Sequence, residues 1–235
     1  MKIGPIGACK EVLLNTKPVI VVTGTKREAM ALARANVEVI VGGSDQERLL
    51  RALRLAAPRA GGIVSFGMGG AIDRGLRLGY WVIGRRVIGA HVAQADEAWV
   101  EALHSRLPHA RVGAVYADGQ MLARHAQKTE QSSGSAALVA DMESHIVAQV
   151  AQEAGVPFAV LRCISDVAQV ELPPAVEVMM GADGAVDWRA MARSVLGQPG
   201  QIFHLARTLR DFAKAYEELQ AGVRLFGPRL AFDAR

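Results

Sequence analysis

Apolar runs alternate with helix-periodic stretches along most of the chain. Val19 to Val22 is a buried-strand candidate, followed by Thr23-Gly24-Thr25 and a helical stretch from Lys26 to Arg34. Val37 to Val41 reads as a second strand, Ser44 as the cap of a helix carrying Leu49, Leu50, Leu53 and Leu55, and Ile63 to Phe66 as the start of a third strand. Helices alternating with buried strands predict a mixed or mostly parallel sheet. Tyr80 to Val92 reads as a bent or hairpin strand pair interrupted at Gly84, with another strand at Val112 to Tyr116, so the sheet is expected to curl. Gln127 to Ser135 is polar and Ser-rich, the pattern of a helix tail and surface turn before a strand at Ala137 to Ala140. His145 to Ala154 predicts a helix ended by Gly155 and Pro157, and Phe158 to Ile164 another buried strand. In the tail, Ile202, Leu205, Leu209, Phe212, Tyr216 and Leu219 step by three and four, giving a helix over 199–221 with one face to pack on the sheet.

Composition narrows the class. A chain of 235 residues, 51% hydrophobic and 21% charged, reads as one globular domain, with 1–17 as a leader. Its 24 glycines and 5% aromatics suit alternating strands, tight turns and helices. The formal charge of +4 comes from basic residues spread along the chain, so nucleic-acid binding is not expected. Ile6-Gly7-Ala8-Cys9 echoes a lipoprotein cleavage site, but only eight residues precede the cysteine where a signal needs roughly 7 to 15 apolar ones ahead of it. Two cysteines, Cys9 and Cys163, make no disulfide framework, and the expected compartment is the cytoplasm. The six histidines form no metal-ligand spacing, so neither a metal nor an organic cofactor is expected.

Two carboxylates stand next to predicted buried strands, where open α/β sheets place their ligands: Glu143 and Asp166. Breaking a nucleoside's glycosidic bond builds positive charge on the ribose and negative charge on the departing purine, so one acid and one sugar anchor lower the barrier. Burial would favour a protonated Asp166 able to act as donor. On spacing alone, Ser165-Asp166 equally reads as a turn cap, and Glu143 as an acid favoured by a helix N-terminus. Arg162 alternates onto the same strand face as Asp166, as a buried charge partner would.

The segment from Val139 to Ala168, VADMESHIVAQVAQEAGVPFAVLRCISDVA, resembles the signature of the nucleoside phosphorylase superfamily, which includes methylthioadenosine and S-adenosylhomocysteine nucleosidases. The resemblance implies a three-layer α/β/α fold with a mixed, partly barrel-like central sheet. It assigns Met142 and Glu143 to the ribose and Ser165 and Asp166 to the base. Gly67 to Gly84 is similar to the family's glycine-rich turn after the third strand, with Tyr80 in place of an aspartate. Gly67, Gly69 and Gly70 would let backbone amides approach a phosphate or an attacking water. A dinucleotide reading of the same glycines fails, since Ile72 takes the sixth position and Arg85 and Arg86 stand where an acid is needed.

Thr23-Gly24-Thr25-Lys26-Arg27-Glu28 resembles the family turn that helps bind phosphate or carries a glutamate that orients water. Gly24, Thr25 and Lys26 are the anion candidates. Glu28 is the best local match to that glutamate, although its spacing equally points to Ala29. The leader from Met1 to Glu11 echoes a family amino terminus with no adequate strand behind it. Asp118 is similar to a position beside the purine, with Gln120 and Met121 where an aromatic usually stacks. Over its whole length the chain resembles the hopanoid-associated phosphorylases, through Lys-Arg-Glu-Ala, Asp-Met-Glu-Ser and the tail from Leu172-Pro173-Pro174 to Gln198-Pro199-Gly200-Gln201. That resemblance implies removal of adenine from adenosylhopane, with orthophosphate or water as the attacking group. A methylthioadenosine or S-adenosylhomocysteine nucleosidase and a non-catalytic nucleoside-binding protein are the alternatives. A homodimer is expected, with peripheral contact to the inner membrane through the apolar stretch Pro173 to Met180 and Arg207, Arg210 and Lys214.

Overall fold

The computed structural model describes residues 17–235, apart from the side chains of 132, 133 and 135. The leader reading of 1–17, with its family echo and Cys9, lies outside the described residues but for Lys17. In chain order the elements are β1 (Val19–Thr23), α1 (Lys26–Ala31), β2 (Glu38–Val41), α2 (Gln46–Ala56), β3 (Gly62–Ala71), β4 (Trp81–Gly89), β5 (Ala93–Gln94), α3 (Glu97–Arg106), β6 (Arg111–Ala117), α4 (His125–Ser135), β7 (Ala137–Asp141), α5 (Ser144–Ala154), β8 (Phe158–Asp166), α6 (Pro174–Glu177), α7 (Trp188–Gly197) and α8 (Ile202–Phe226). The sheet runs β2-β1-β3-β7-β6-β4-β5, and β8 pairs with both β3 and β4. Strands β3, β7, β6, β4 and β8 therefore close a five-membered ring, with β1 and β2 as a parallel flap beside it. The mixed, partly barrel-like sheet expected from the sequence is present, with helices packed around it.

The closure explains the apolar pattern. Every residue of β1 and β8 is buried, so both read as continuous rather than alternating apolar runs. β4 bends where its register with β6 shifts between Gly84 and Arg86, the interruption the sequence marked at Gly84. It is one strand with the short β5 folded back on it, rather than an even hairpin. α8 covers the β8 side through Ala215, Tyr216, Leu219, Val223 and Phe226, the last meeting Trp81 edge-on at 5.4 Å. Each such large apolar side chain stabilises the fold by roughly 1.5–3 kcal/mol. This helix runs to Phe226, five residues past the expected end. Its first turn departs from the expected stripe, because Ile202 is exposed.

Three further expectations are corrected. The cap of α2 is Asp45, whose carboxylate accepts from the Arg48 amide at 2.9 Å, while the Ser44 amide donates to Gly181 O. The glycines after Phe66 are not a turn: β3 continues through them to Ala71, held by β8 on one side and β7 on the other. His125 to Ser135 is a helix throughout rather than a tail and turn.

Candidate active site

The strand ends of β1, β3, β7 and β8 bring four acids and one arginine together. Asp141 closes β7 and accepts from the amides of Glu143 (2.9 Å) and Ser144 (2.7 Å), which starts α5 and sets Glu143 at its N-terminal edge. Arg162, fully buried in β8, donates from Nε to Asp141 at 2.9 Å and from its Nη2 atom to the Ser65 hydroxyl at 2.5 Å. It also stands 3.9 Å from Glu143. Burial alone would raise the Asp141 carboxyl, but the Arg162 charge and the hydrogen bonds from Arg162 and Ser144 hold it below the usual range. Glu143 differs. Burial, then repulsion from Asp141, pushes its carboxyl up to about 8 against the opposing pull of Arg162.

Glu28 joins this group through a capping box. Thr25 caps α1 by accepting from the Glu28 amide, and Glu28 Oε2 accepts in return from the Thr25 amide (2.8 Å) and hydroxyl (3.0 Å). Glu28 Oε1 accepts from the Met68 amide in β3 at 2.7 Å. Three of the roughly four acceptor positions of a carboxylate are thus filled by protein donors, leaving one. Burial raises the Glu28 carboxyl, and the Met68 hydrogen bond and the Arg162 charge oppose it.

The glycines expected to cradle phosphate make room for these acids instead. A methyl group on Gly67, where φ is +157°, would lie 2.5 Å from Glu28 Oε1. One on Gly24 would lie 2.9 Å from Glu143 Oε1, and one on Gly70 3.0 Å from Asp166 Oδ2. Gly69 is pressed against Val139 and the Ala140 carbonyl. Of the amides expected to be free at this turn, that of Thr25 is occupied. The Thr25 amide serves Glu28, the Lys26 amide donates to Gly184 O at 3.0 Å, and the Lys26 ammonium pairs with Asp183 at the surface.

Asp166 is the last residue of β8 rather than the residue after it. Its partner is not Arg162. The β3–β8 register shifts so that Gly69 faces Ile164 and Gly70 faces Asp166, and this bulge at Ser165 breaks the alternation that would have put Arg162 and Asp166 on one face. Ser165 donates to Asp166 Oδ1 at 2.8 Å, and buried Lys128 of α4 pairs with Oδ2. The other Lys128 hydrogen bonds go to the carbonyls of Val167 and Val170, both at 3.3 Å. Asp166 is therefore buried beside Lys128, where an isolated buried carboxyl was expected.

Lys128 was missed because α4 reads as a surface segment. Its signal is there nonetheless: HAQKTEQSSGS holds almost no apolar residue, so polar contacts must dock it. His125, one turn before Lys128, bonds the Ala168 carbonyl at 2.9 Å and fixes the same face. Met142 is half-buried between Asp141 and Glu143. Asp118 accepts from the Tyr116 hydroxyl (3.0 Å) and the Gln120 amide (2.9 Å); Gln120 is exposed, and Met121 packs into a second apolar cluster with Ala123, Leu172, Val176 and Leu205. Among the described residues, no group of three or more His, Cys, Asp or Glu is placed to hold a metal ion. No helix there is long and apolar enough to cross a membrane.

A sequence model of the Phosphorylase superfamily matches residues 10–179. No curated protein matches the chain. Among solved structures, the S-adenosylhomocysteine nucleosidase of Streptococcus pyogenes in complex with 5-methylthiotubericidin is similar with a TM-score of 0.57 and 17% identity, covering 88% of this chain and 98% of that one. The apo 5'-methylthioadenosine nucleosidase of Arabidopsis thaliana gives a TM-score of 0.61 at 14% identity, over 89% and 93%. The native futalosine hydrolase of Helicobacter pylori gives 0.56 at 15%, over 86% and 98%. At these identities the likeness is one of fold.

Proposed function

The chain belongs to the phosphorylase superfamily, and from that premise we propose that it is an enzyme cleaving the N-glycosidic bond of a purine nucleoside with water as the attacking group. The observation that carries this reading is Glu28, whose carboxylate sits against Gly67 and takes the Met68 amide. A phosphate would meet there the Glu28 carboxyl and a Glu143 that keeps its proton below about 8, while the charge of Arg162 is already engaged by Asp141 and Ser65. A neutral water meets an acceptor position on Glu28 and the acid and base it needs.

In this mechanism Glu143 holds the ribose hydroxyls and Met142 lies beside the sugar. As the bond to the base breaks, the sugar gains positive charge and the purine gains the bonding electron pair. The Lys128–Asp166 pair gives the purine a proton, and Ser165 keeps the carboxylate aimed. Water adds to the anomeric carbon and its proton passes to Glu28, and exchange with solvent restores both ends. Asp118, with Gln120 and Met121, borders the base.

For the substrate we take adenosylhopane, on the strength of the motifs shared with the hopanoid-associated phosphorylases, which would give adenine and a ribosyl hopane. An enzyme of this kind works on the cytoplasmic side of the membrane that holds its lipid. The test is adenine release from adenosylhopane and from methylthioadenosine by the wild type and by Glu28→Gln. The proposal expects faster release from adenosylhopane, and a kcat loss on the order of a hundredfold in Glu28→Gln with little change in KM. Unchanged turnover in that variant would remove Glu28 from the reaction, and preference for methylthioadenosine would remove the lipid.

A further inference from the structure

One corner of the surface is unlike the rest. Among the described residues, six of the eleven large apolar side chains that stand strongly exposed fall between positions 178 and 203: Val178, Val186, Trp188, Leu196, Ile202 and Phe203. Trp188 is 64% exposed, Leu196 82% and Phe203 83%. Helix α7 has no buried residue. Met191 and Val195 pack inward on the cluster that also holds Met121 and Leu205, while Trp188, Ala192 and Leu196 repeat every four residues on the exposed side. Gln201 bonds the Ser194 carbonyl at 2.9 Å and ties the end of α7 to the first turn of α8, where Ile202 and Phe203 emerge.

The acids Glu177, Asp183 and Asp187 border the Val178 and Val186 end of this patch, whereas the charges along α7 and the first turns of α8 are positive. Arg189 and Arg193 flank the α7 stripe, Arg207 and Arg210 follow Phe203, and all four are exposed. No aspartate or glutamate occurs from Trp188 to Arg210. Tryptophan, phenylalanine and leucine set among arginines on an amphipathic helix match the interfacial layer of a bilayer, where the apolar side chains enter the acyl boundary and the cations meet headgroups. A second copy fits less well, because a two-fold contact sets this patch against itself and brings four arginines against four.

We propose that α7 and the first turns of α8 form a docking surface for an anionic lipid bilayer. The surface overlaps the one expected from the sequence at Val178, Arg207 and Arg210, while Val176 of the Pro173–Met180 stretch is buried and α7 supplies most of the exposed face. The proposal goes beyond the reaction and stands on the surface alone. Docking here sets the bilayer against the cluster that reaches Met121, three residues past Asp118, so a nucleoside carried on a lipid would enter from the membrane side.

The test is co-sedimentation of the full chain with vesicles of pure phosphatidylcholine and of equimolar phosphatidylcholine and phosphatidylglycerol. Wild-type protein should pellet with the anionic vesicles only and be released by high salt. Leu196→Glu with Phe203→Glu, and separately Arg189→Glu with Arg193→Glu, should each weaken retention by about tenfold or more, with unchanged thermal unfolding and unchanged turnover of a soluble nucleoside. Equal recovery with both vesicle types, or none with either, overturns the proposal. So does a wild-type dimer that becomes monomeric in the Leu196/Phe203 variant without any vesicle binding, which would assign the face to a second copy. A protein that binds anionic vesicles yet cleaves no nucleoside would overturn the reaction and leave this surface standing.

Discussion

At its Glu28–Glu143 end the site is made from strand ends and helix starts. Glycines in β1's turn and in β3 let the carboxylates sit against the backbone, and Arg162 spans Asp141, Ser65 and Ser144 beneath them. At the Asp166 end a strand residue is completed from outside the sheet, by Lys128 on a helix docked through polar contacts. The first end is a framework in which every acid has a fixed backbone donor. The second is an ion pair whose cation moves if α4 moves. On the proposed mechanism, water activation needs rigid orientation, whereas the end that holds Asp166 must admit and release a purine, and the two constructions would suit those tasks.

The largest effect expected is on turnover. Asp166→Asn and Glu143→Gln each keep the fold and lower kcat/KM on the order of a hundredfold or more, because each removes a group that acts as charge develops. Steady-state adenine release measures both. The double variant should lose less than the product of the two losses, since the two ends act on one transition state. Near-wild-type rates in either single variant would detach that end from the chemistry.

Next comes the stability of the base end. Lys128→Met leaves the Asp166 carboxylate buried without its cation and should cost about 3 kcal/mol in urea unfolding. Lys128→Met with Asp166→Asn should recover much of that loss, because the uncompensated charge is gone. If the single substitution costs nothing, α4 is not docked through this pair.

A third effect separates the ends by pH. The folded Glu143 carboxyl stands at about 8 against an ordinary value of 4.5, so between those values the folded protein keeps a proton that the unfolded chain has lost. Its contribution to stability is therefore full below about 4.5 and is lost as pH rises through about 8. Glu28 is shifted in the same direction. Thermal unfolding across this window should show stability falling with pH, with a shallower fall in Glu143→Gln. An unchanged slope in that variant would place the titration elsewhere.

How much of this was legible in the sequence follows the same division. β1, β8, α5 and the Gly155 cap could be read because their signals are local: continuous apolar runs, a helical period and a left-handed glycine. Glu143 and Asp166 were legible because they terminate or follow such runs. The placement of the glycines in β3 is not legible, since glycine in a loop and glycine in a strand opposite a carboxylate look alike until β7 and β8 are laid beside β3. Arg162 was assigned to Asp166 by simple alternation, which the bulge at Ser165 cancels. Lys128 is hard to read because its burial comes from tertiary docking of a polar helix, and a helix with almost no apolar residue reads first as a solvated one.

The central claim is that Glu28 fills the place of a phosphate and serves an attacking water. It is tested most directly by turning over a purine nucleoside in water labelled with heavy oxygen, with and without orthophosphate, and weighing the sugar product. The account predicts a free sugar carrying the label at its anomeric hydroxyl and a rate indifferent to phosphate. A sugar 1-phosphate formed only when phosphate is present would contradict it.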